Sequence, residues 1–144
     1  MNNTSGFAIE QIFSGQKLLA IIIPRDFAAT GVNFITPDNL SQQLAYIQHP
    51  SGKLIDPHCH NPVSREVLYT QEVLLIKKGS LRVDFYGDDR KYLEFRILNA
   101  GDVILLADGG HGFEVLEELE MIEVKQGPYC GDNDKTRFLR ADEG

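Results

Sequence analysis

The chain has 144 residues, which suits one domain able to bury a proper core without disulfide staples. It carries 21 acidic against 14 basic residues, for a net charge of −7. That balance argues against nucleic acid or an anionic membrane surface as the main partner, since phosphate binding needs a basic surface.

The first seven residues, MNNTSGF, lack the basic and apolar regions of a secretory signal. The longest apolar run, 18–23, is far too short to span a bilayer, so the expectation is a soluble cytoplasmic protein. Two strand-like runs, 6–13 and 17–24, flank a Ser14-Gly15-Gln16 turn. The second is apolar on both faces, as in a doubly covered strand or a strand at a subunit interface. A homodimer joined partly through these N-terminal strands is therefore expected. Residues 25–30 look irregular. Residues 32–39 predict a short strand ending in a Pro-Asp-Asn turn. Residues 41–48 predict another strand, with a helix as the alternative because Gln, Leu and Ala favour it.

His49-Pro50-Ser51-Gly52 is a turn, and the stretch 52–79 after it is the most informative in the chain. In an extended strand, side chains alternate faces, so His58 and His60 point one way and Cys59 the other. Two imidazoles on one face, with backbones about 7 Å apart, can converge on one ion. Residues 61–70 form an irregular loop. Residues 71–78 and 81–86 then predict a hairpin around Gly79-Ser80. Glu72 lies on the first of these strands. The sequence 92–98 alternates again, Asn99-Ala100-Gly101-Asp102 turns into 103–106, and Gly109-Gly110 turns into two further strands ending at 125. His111 follows that last turn. His58, His60, Glu72 and His111 thus make a divalent-metal set of three imidazoles and one carboxylate. The tail 127–144 is polar and charged. Many short strands with glycine turns predict a sandwich or barrel.

The arrangement resembles the cupin superfamily. The family's first motif runs Gly, five residues, His-x-His, a short gap, Glu, six residues, Gly. Gly52, His58-Cys59-His60, Glu72 and Gly79 match it, except that eleven residues separate His60 from Glu72. The second motif is matched in part by Gly101, Ala107-Asp108-Gly109 and His111, with Ala in place of Pro and Val115 in place of Asn. The match spans 50–126. The ending 123–129 also resembles small cupins associated with surface-polysaccharide biosynthesis. The resemblance implies an all-β double-stranded β-helix, a single-domain jelly roll, with 1–49 as N-terminal strands, 50–126 as barrel core and 127–144 as tail. It implies one divalent transition metal inside the barrel; the N- and O-rich set suits Fe, Mn, Ni or Zn.

Glu66 is the rival carboxylate, nearer the family's usual gap, but Glu72 is preferred on strand context and spacing. Glu66 is also a candidate base in the loop. Arg65 and Tyr69 lie on the loop between ligands, where a guanidinium fork or a phenol would hold an anionic or sugar-derived ligand. Two kinds of function are compatible with the sequence. One is a metal-dependent isomerase, epimerase or dioxygenase acting on a small oxygenated metabolite. The other is a non-catalytic carbohydrate or small-molecule binding module. A disulfide between Cys59 and Cys130 is compatible with the sequence, but the better assignment for Cys59 is a small buried or interface residue.

Overall fold

The computed structural model describes residues 7–141. Its strands are β1 (Glu10–Ser14), β2 (Lys17–Ile23), β3 (Gly31–Phe34), β4 (Ala45–Gln48), β5 (Glu72–Tyr86), β6 (Tyr92–Asn99), β7 (Val103–Leu106) and β8 (Gly110–Lys125). A 3-10 turn, Gly131–Asp134, follows β8, and no α-helix occurs among the described residues. Among the described residues no helix is long and apolar enough to cross a membrane. The chain is all-β.

β5 organises the fold. β8 runs antiparallel along one whole side of it, from Glu72 opposite Lys125 to Tyr86 opposite Gly110. The other side is shared: β7 pairs with 72–75 and β6 with 80–86. β2 extends the sheet beyond β7, and β1 extends it beyond β2. The whole curls into an antiparallel half-barrel. β3 and β4 form a separate two-stranded hairpin. Only 45–48 of the expected 41–48 strand is extended, and the helical alternative does not form.

The Gly79-Ser80 hairpin does not form either. The chain runs through it as one 15-residue strand and reverses after Tyr86. Gly79 has φ +87°, and the register with β8 slips on both sides of it. A Cβ there would lie 2.0 Å from the Glu118 carbonyl oxygen. The glycine therefore marks a bulge that bends two long strands together. The two strands expected within 112–125 are likewise a single one, β8.

Strand alternation sorts the core into two clusters. Ile12, Ala20, Ile22, Leu74, Ile76, Leu81, Val83, Phe85, Leu98 and Ile104 fill the inside of the curl. Ile21, Val73 and Leu105 face the other way, and Ile35, Leu40 and Leu44 cover them. The doubly apolar run 18–23 thus finds cover on both sides within one chain. Its composition alone does not require a partner subunit.

Residues 51–69 belong to no strand and are exposed throughout. The extended strand expected at His58-Cys59-His60 is absent because nothing pairs with it. Pro57 and Pro62 flank the pair and have no N–H to give a ladder.

Candidate functional site

The tail is a strap across one end of β5 and β8. Asp84, 1% exposed, receives a charge-assisted bond from Arg140 and a 2.9 Å bond from Arg82 Nε. Arg140 also donates to the Phe113 carbonyl at 2.6 Å. The Ala141 N–H donates to the Tyr86 hydroxyl at 3.2 Å, and Phe138 stands edge-on to Tyr86 with centroids 5.1 Å apart. Two glycines on β8 make room for this. Gly110 and Gly112 lie opposite Tyr86 and Asp84, and a Cβ on Gly110 would meet the Phe138 ring at 2.8 Å. At the start of β5, the Thr70 hydroxyl donates to the Asp134 carboxylate, and the Gln71 N–H donates to Gln126 Oε1 at 2.7 Å.

Between strap and strands lies a cavity of about 550 Å³. Glu72 enters it from β5, His111 from β8, Tyr69 and Thr70 from the chain before β5, and Lys135 and Arg137 from the strap. Glu72 shares the inner face of β5 with Leu74 and Ile76, because side chains two apart point together. Its register places Glu123 and Lys125 beside it on β8. Burial pushes the Glu72 carboxyl up to about 7, helped by a hydrogen bond with Glu123 and by that residue's charge, and opposed by Lys125 and Lys135. The negative charge of Glu123 close by makes it harder for the Glu72 carboxyl to give up its proton. Burial, then the charge of Lys135, lowers the His111 pKa, while Glu123 acts against them. The cavity therefore holds an imidazole whose charged form is disfavoured and, in Glu72, a carboxyl that keeps its proton toward neutral pH, two groups that can take and give protons.

The structure divides the expected ligands into two places. Glu72 and His111 line the cavity; His58 and His60 lie on the exposed 51–69 segment. The two imidazoles do stay close, with ring centroids 5.3 Å apart. Among the described residues, no three His, Cys, Asp or Glu side chains gather tightly enough to hold an ion. As folded in one chain, the donors do not fit the four-ligand set. Tyr69 reaches the cavity, whereas Arg65 and Glu66 lie on the exposed segment outside its lining. Beside Glu72, Leu74 and Ile76 are in the core with Phe113 packed on it, and Val115, in the second motif's Asn position, is 55% exposed. Cys59 and Cys130 are free and exposed, so Cys59 is not a buried residue of this chain.

Sequence reasoning passed over Glu123, Lys135, Arg137 and Arg140. The only signal for the strap residues was the cation density of K-T-R-F-L-R inside a tail that looked merely polar. Comparison with known proteins gives no match: no family model fits the chain, and no curated protein or solved structure is significantly similar to it.

Proposed function

We propose that this is a cupin-type jelly-roll protein that binds a small, anionic, oxygen-rich metabolite, such as a sugar derivative, in the strap cavity and moves a proton on it. The observation that carries the reading is the lining: Glu72 and His111 face a space of about 550 Å³ whose rim carries Lys135 and Arg137. A cavity of that size with a few convergent polar groups suits a small molecule. The cations of the strap favour a carboxylate or phosphate. His111 accepts a proton from a carbon next to a carbonyl, and the Glu72 carboxyl returns one either to the other face of that carbon or to the former carbonyl carbon, with the adjacent hydroxyl's proton passing to the carbonyl oxygen in the second case. That is the chemistry of isomerisation or epimerisation. The cupin assignment is supported by the motif spacing around Gly52, His58, Glu72 and Gly79 and by the all-β curl.

The test has two readouts. Calorimetric titration with sugar phosphates and uronic acids is expected to find saturable binding that Lys135→Ala weakens about tenfold, the scale of one charge-assisted bond. Incubation of keto-sugar ligands in deuterated water is expected to exchange the α-proton, and Glu72→Gln and His111→Gln are expected to abolish the exchange. No binding across the panel would overturn the reading. Binding without exchange would make the protein a non-catalytic module.

A further inference from the structure

The strap, residues 131–141, covers one end of β5 and β8, yet none of its own residues is buried. Asp84 and Tyr86, which it covers, are. Among the described residues no main-chain bond joins 135–141 to the main chain of the sheet; the one main-chain bond there runs from Lys135 back to the Asp132 carbonyl. The strap is held through side chains, at its two ends. At the first, Asp134 accepts from the Thr70 hydroxyl and has Lys125 Nζ at 3.9 Å. At the second, Arg140 donates to Asp84 and to the Phe113 carbonyl, the Ala141 N–H reaches the Tyr86 hydroxyl, and Phe138 stands between the Tyr86 ring and the Arg90 guanidinium. Lys135, Thr136 and Arg137 lie between these ends and line the cavity. Segments held by so few buried contacts are the first to open in a folded protein.

The second attachment can be released at little cost. Asp84 has two guanidinium partners, and one is enough to balance its charge. Arg82 stays beside it on β5, with Nε at 2.9 Å and its guanidinium over the Phe95 ring at 3.8 Å. The Arg82 side chain is 18% exposed, that of Arg140 48%. Lifting Arg140 therefore returns a half-hydrated cation to water and leaves Asp84 paired, so no buried charge is stranded. The seat for this end lies on β8, where Gly110 and Gly112 face Phe138 and Arg140. Neither glycine has a positive φ, so the backbone does not demand glycine at either position. The space does at Gly110, where a Cβ would meet the Phe138 ring at 2.8 Å.

We propose that the strap is a lid on the cavity: it turns on the Asp134 attachment, is latched by Arg140 on Asp84, and is drawn shut by an anion that Lys135 and Arg137 bind. The anion rests on the proposed function of the cavity; the hinge and the latch do not. Lys135 and Arg137 sit between hinge and latch, so they line the cavity only while the strap is down. In the closed lid three cations, Lys135, Arg137 and Arg140, fall within six residues, and Asp84 answers only the last of them. Arg137 has Asp132 at 3.7 Å, but that pair is solvated and lies within the strap, so it does not hold the strap to the sheet. A carboxylate or phosphate in the cavity supplies the missing counter-charge. Because it meets both cations only in the closed state, it shifts the population toward closure.

Tyr86 reports the lid, because its ring and hydroxyl lie under Phe138 and Ala141. Full-length protein labelled with fluorotyrosine gives a fluorine NMR signal for Tyr86, assigned with Tyr86→Phe, and broadening by a soluble gadolinium chelate reads its exposure. Arg140→Ala is expected to raise the open population about tenfold, the scale of one charge-assisted bond lost. Arg140→Lys, which keeps the charge and loses the fork, is expected to fall between it and wild type. The urea midpoint should stay at the wild-type value in Arg140→Ala and drop in Arg82→Ala, which removes the partner that remains when the lid is open. A Tyr86 as shielded in Arg140→Ala as in wild type would overturn the lid. So would exposure that comes only with global unfolding, since the strap would then be a fixed part of the core. Inorganic phosphate is expected to shield Tyr86 again in Arg140→Ala, and to fail once Lys135→Ala and Arg137→Ala are added. Exposure that answers to Arg140 but not to phosphate, in a protein that calorimetry shows to bind phosphate, would overturn closure by an anion and leave the cavity's proposed function standing. Absence of phosphate binding would instead count against that function and leave the hinge and latch in place.

Discussion

Glu72 opens β5 and inherits that strand's alternation, which turns it inward beside Leu74 and toward Glu123 on β8. Its carboxyl is raised to about 7 by burial and by Glu123, while Lys125 and Lys135 pull the other way. The unfolded chain releases this proton near the ordinary value of 4.5. The folded state therefore holds an extra proton between those two values. The group's contribution to stability is complete below about 4.5 and is lost as pH rises through about 7. His111 works in the opposite sense. Burial lowers its pKa, so its contribution is present above the ordinary value of 6.5 and fades as pH falls. Glu72→Gln keeps the shape and removes the titration. After allowance for a half-open, screened site, it is expected to gain about 1 kcal/mol over wild type at alkaline pH. That corresponds to a melting point about 3 °C higher. Near pH 4.5 the two proteins should melt together, and an equal gap at both pH values would show that the carboxyl is not shifted. Period-two alternation made the inward position of Glu72 legible in the sequence. Glu123 was not legible: in E-M-I-E-V-K it looks like Glu120, and only the register against β5 sends one inward with Met121 and leaves the other beside Lys78.

At the scale of elements, the informative residue is Gly79. A glycine between two alternating runs means either a hairpin or a bulge, and the runs themselves are the same in both cases. Its partner decides, and that partner is β8, nearly forty residues further on. Gly79→Ala is expected to lower stability by about 3 kcal/mol, from the left-handed φ and from overpacking against the Glu118 carbonyl. Urea unfolding followed by circular dichroism measures it; an unchanged midpoint would mean that the bulge moves at little cost. β6 and β7 were legible because local alternation and the turn at 99–102 bound them on both sides. The strap was not. Arg140 and Phe138 have meaning only beside Asp84 and Tyr86, more than fifty residues away, and in L-R-V-D-F-Y the alternation of Asp84 with Val83 and Phe85 is the pattern of an outward-facing charge. The strand expected at 58–60 failed for the converse reason: its alternation was readable, but a strand also needs a neighbour.

Across the whole molecule, one curled sheet is covered on both faces by a single chain. The inner cluster is closed by the curl itself, and the outer residues Ile21, Val73 and Leu105 are closed by Ile35, Leu40 and Leu44 from the connection between β3 and β4. This connection takes the place that a partner's strand would have filled had the run 18–23 been a subunit interface. The two arrangements differ in what a cavity mutation does. If cover comes from within, shortening it loosens each chain alone. Leu40→Ala with Leu44→Ala is expected to cost about 2–4 kcal/mol, at the low end for large-to-small changes because both side chains are only partly buried. The loss should be independent of protein concentration, since no association is linked to it. Thermal unfolding over a wide concentration range, together with sedimentation, reads both quantities. A melting point that falls further on dilution, with a shift toward lighter species, would mean that the 35–44 cover also holds two chains together. It would return the N-terminal strands to a subunit interface. A uniform loss with unchanged mass assigns that face to the chain's own core.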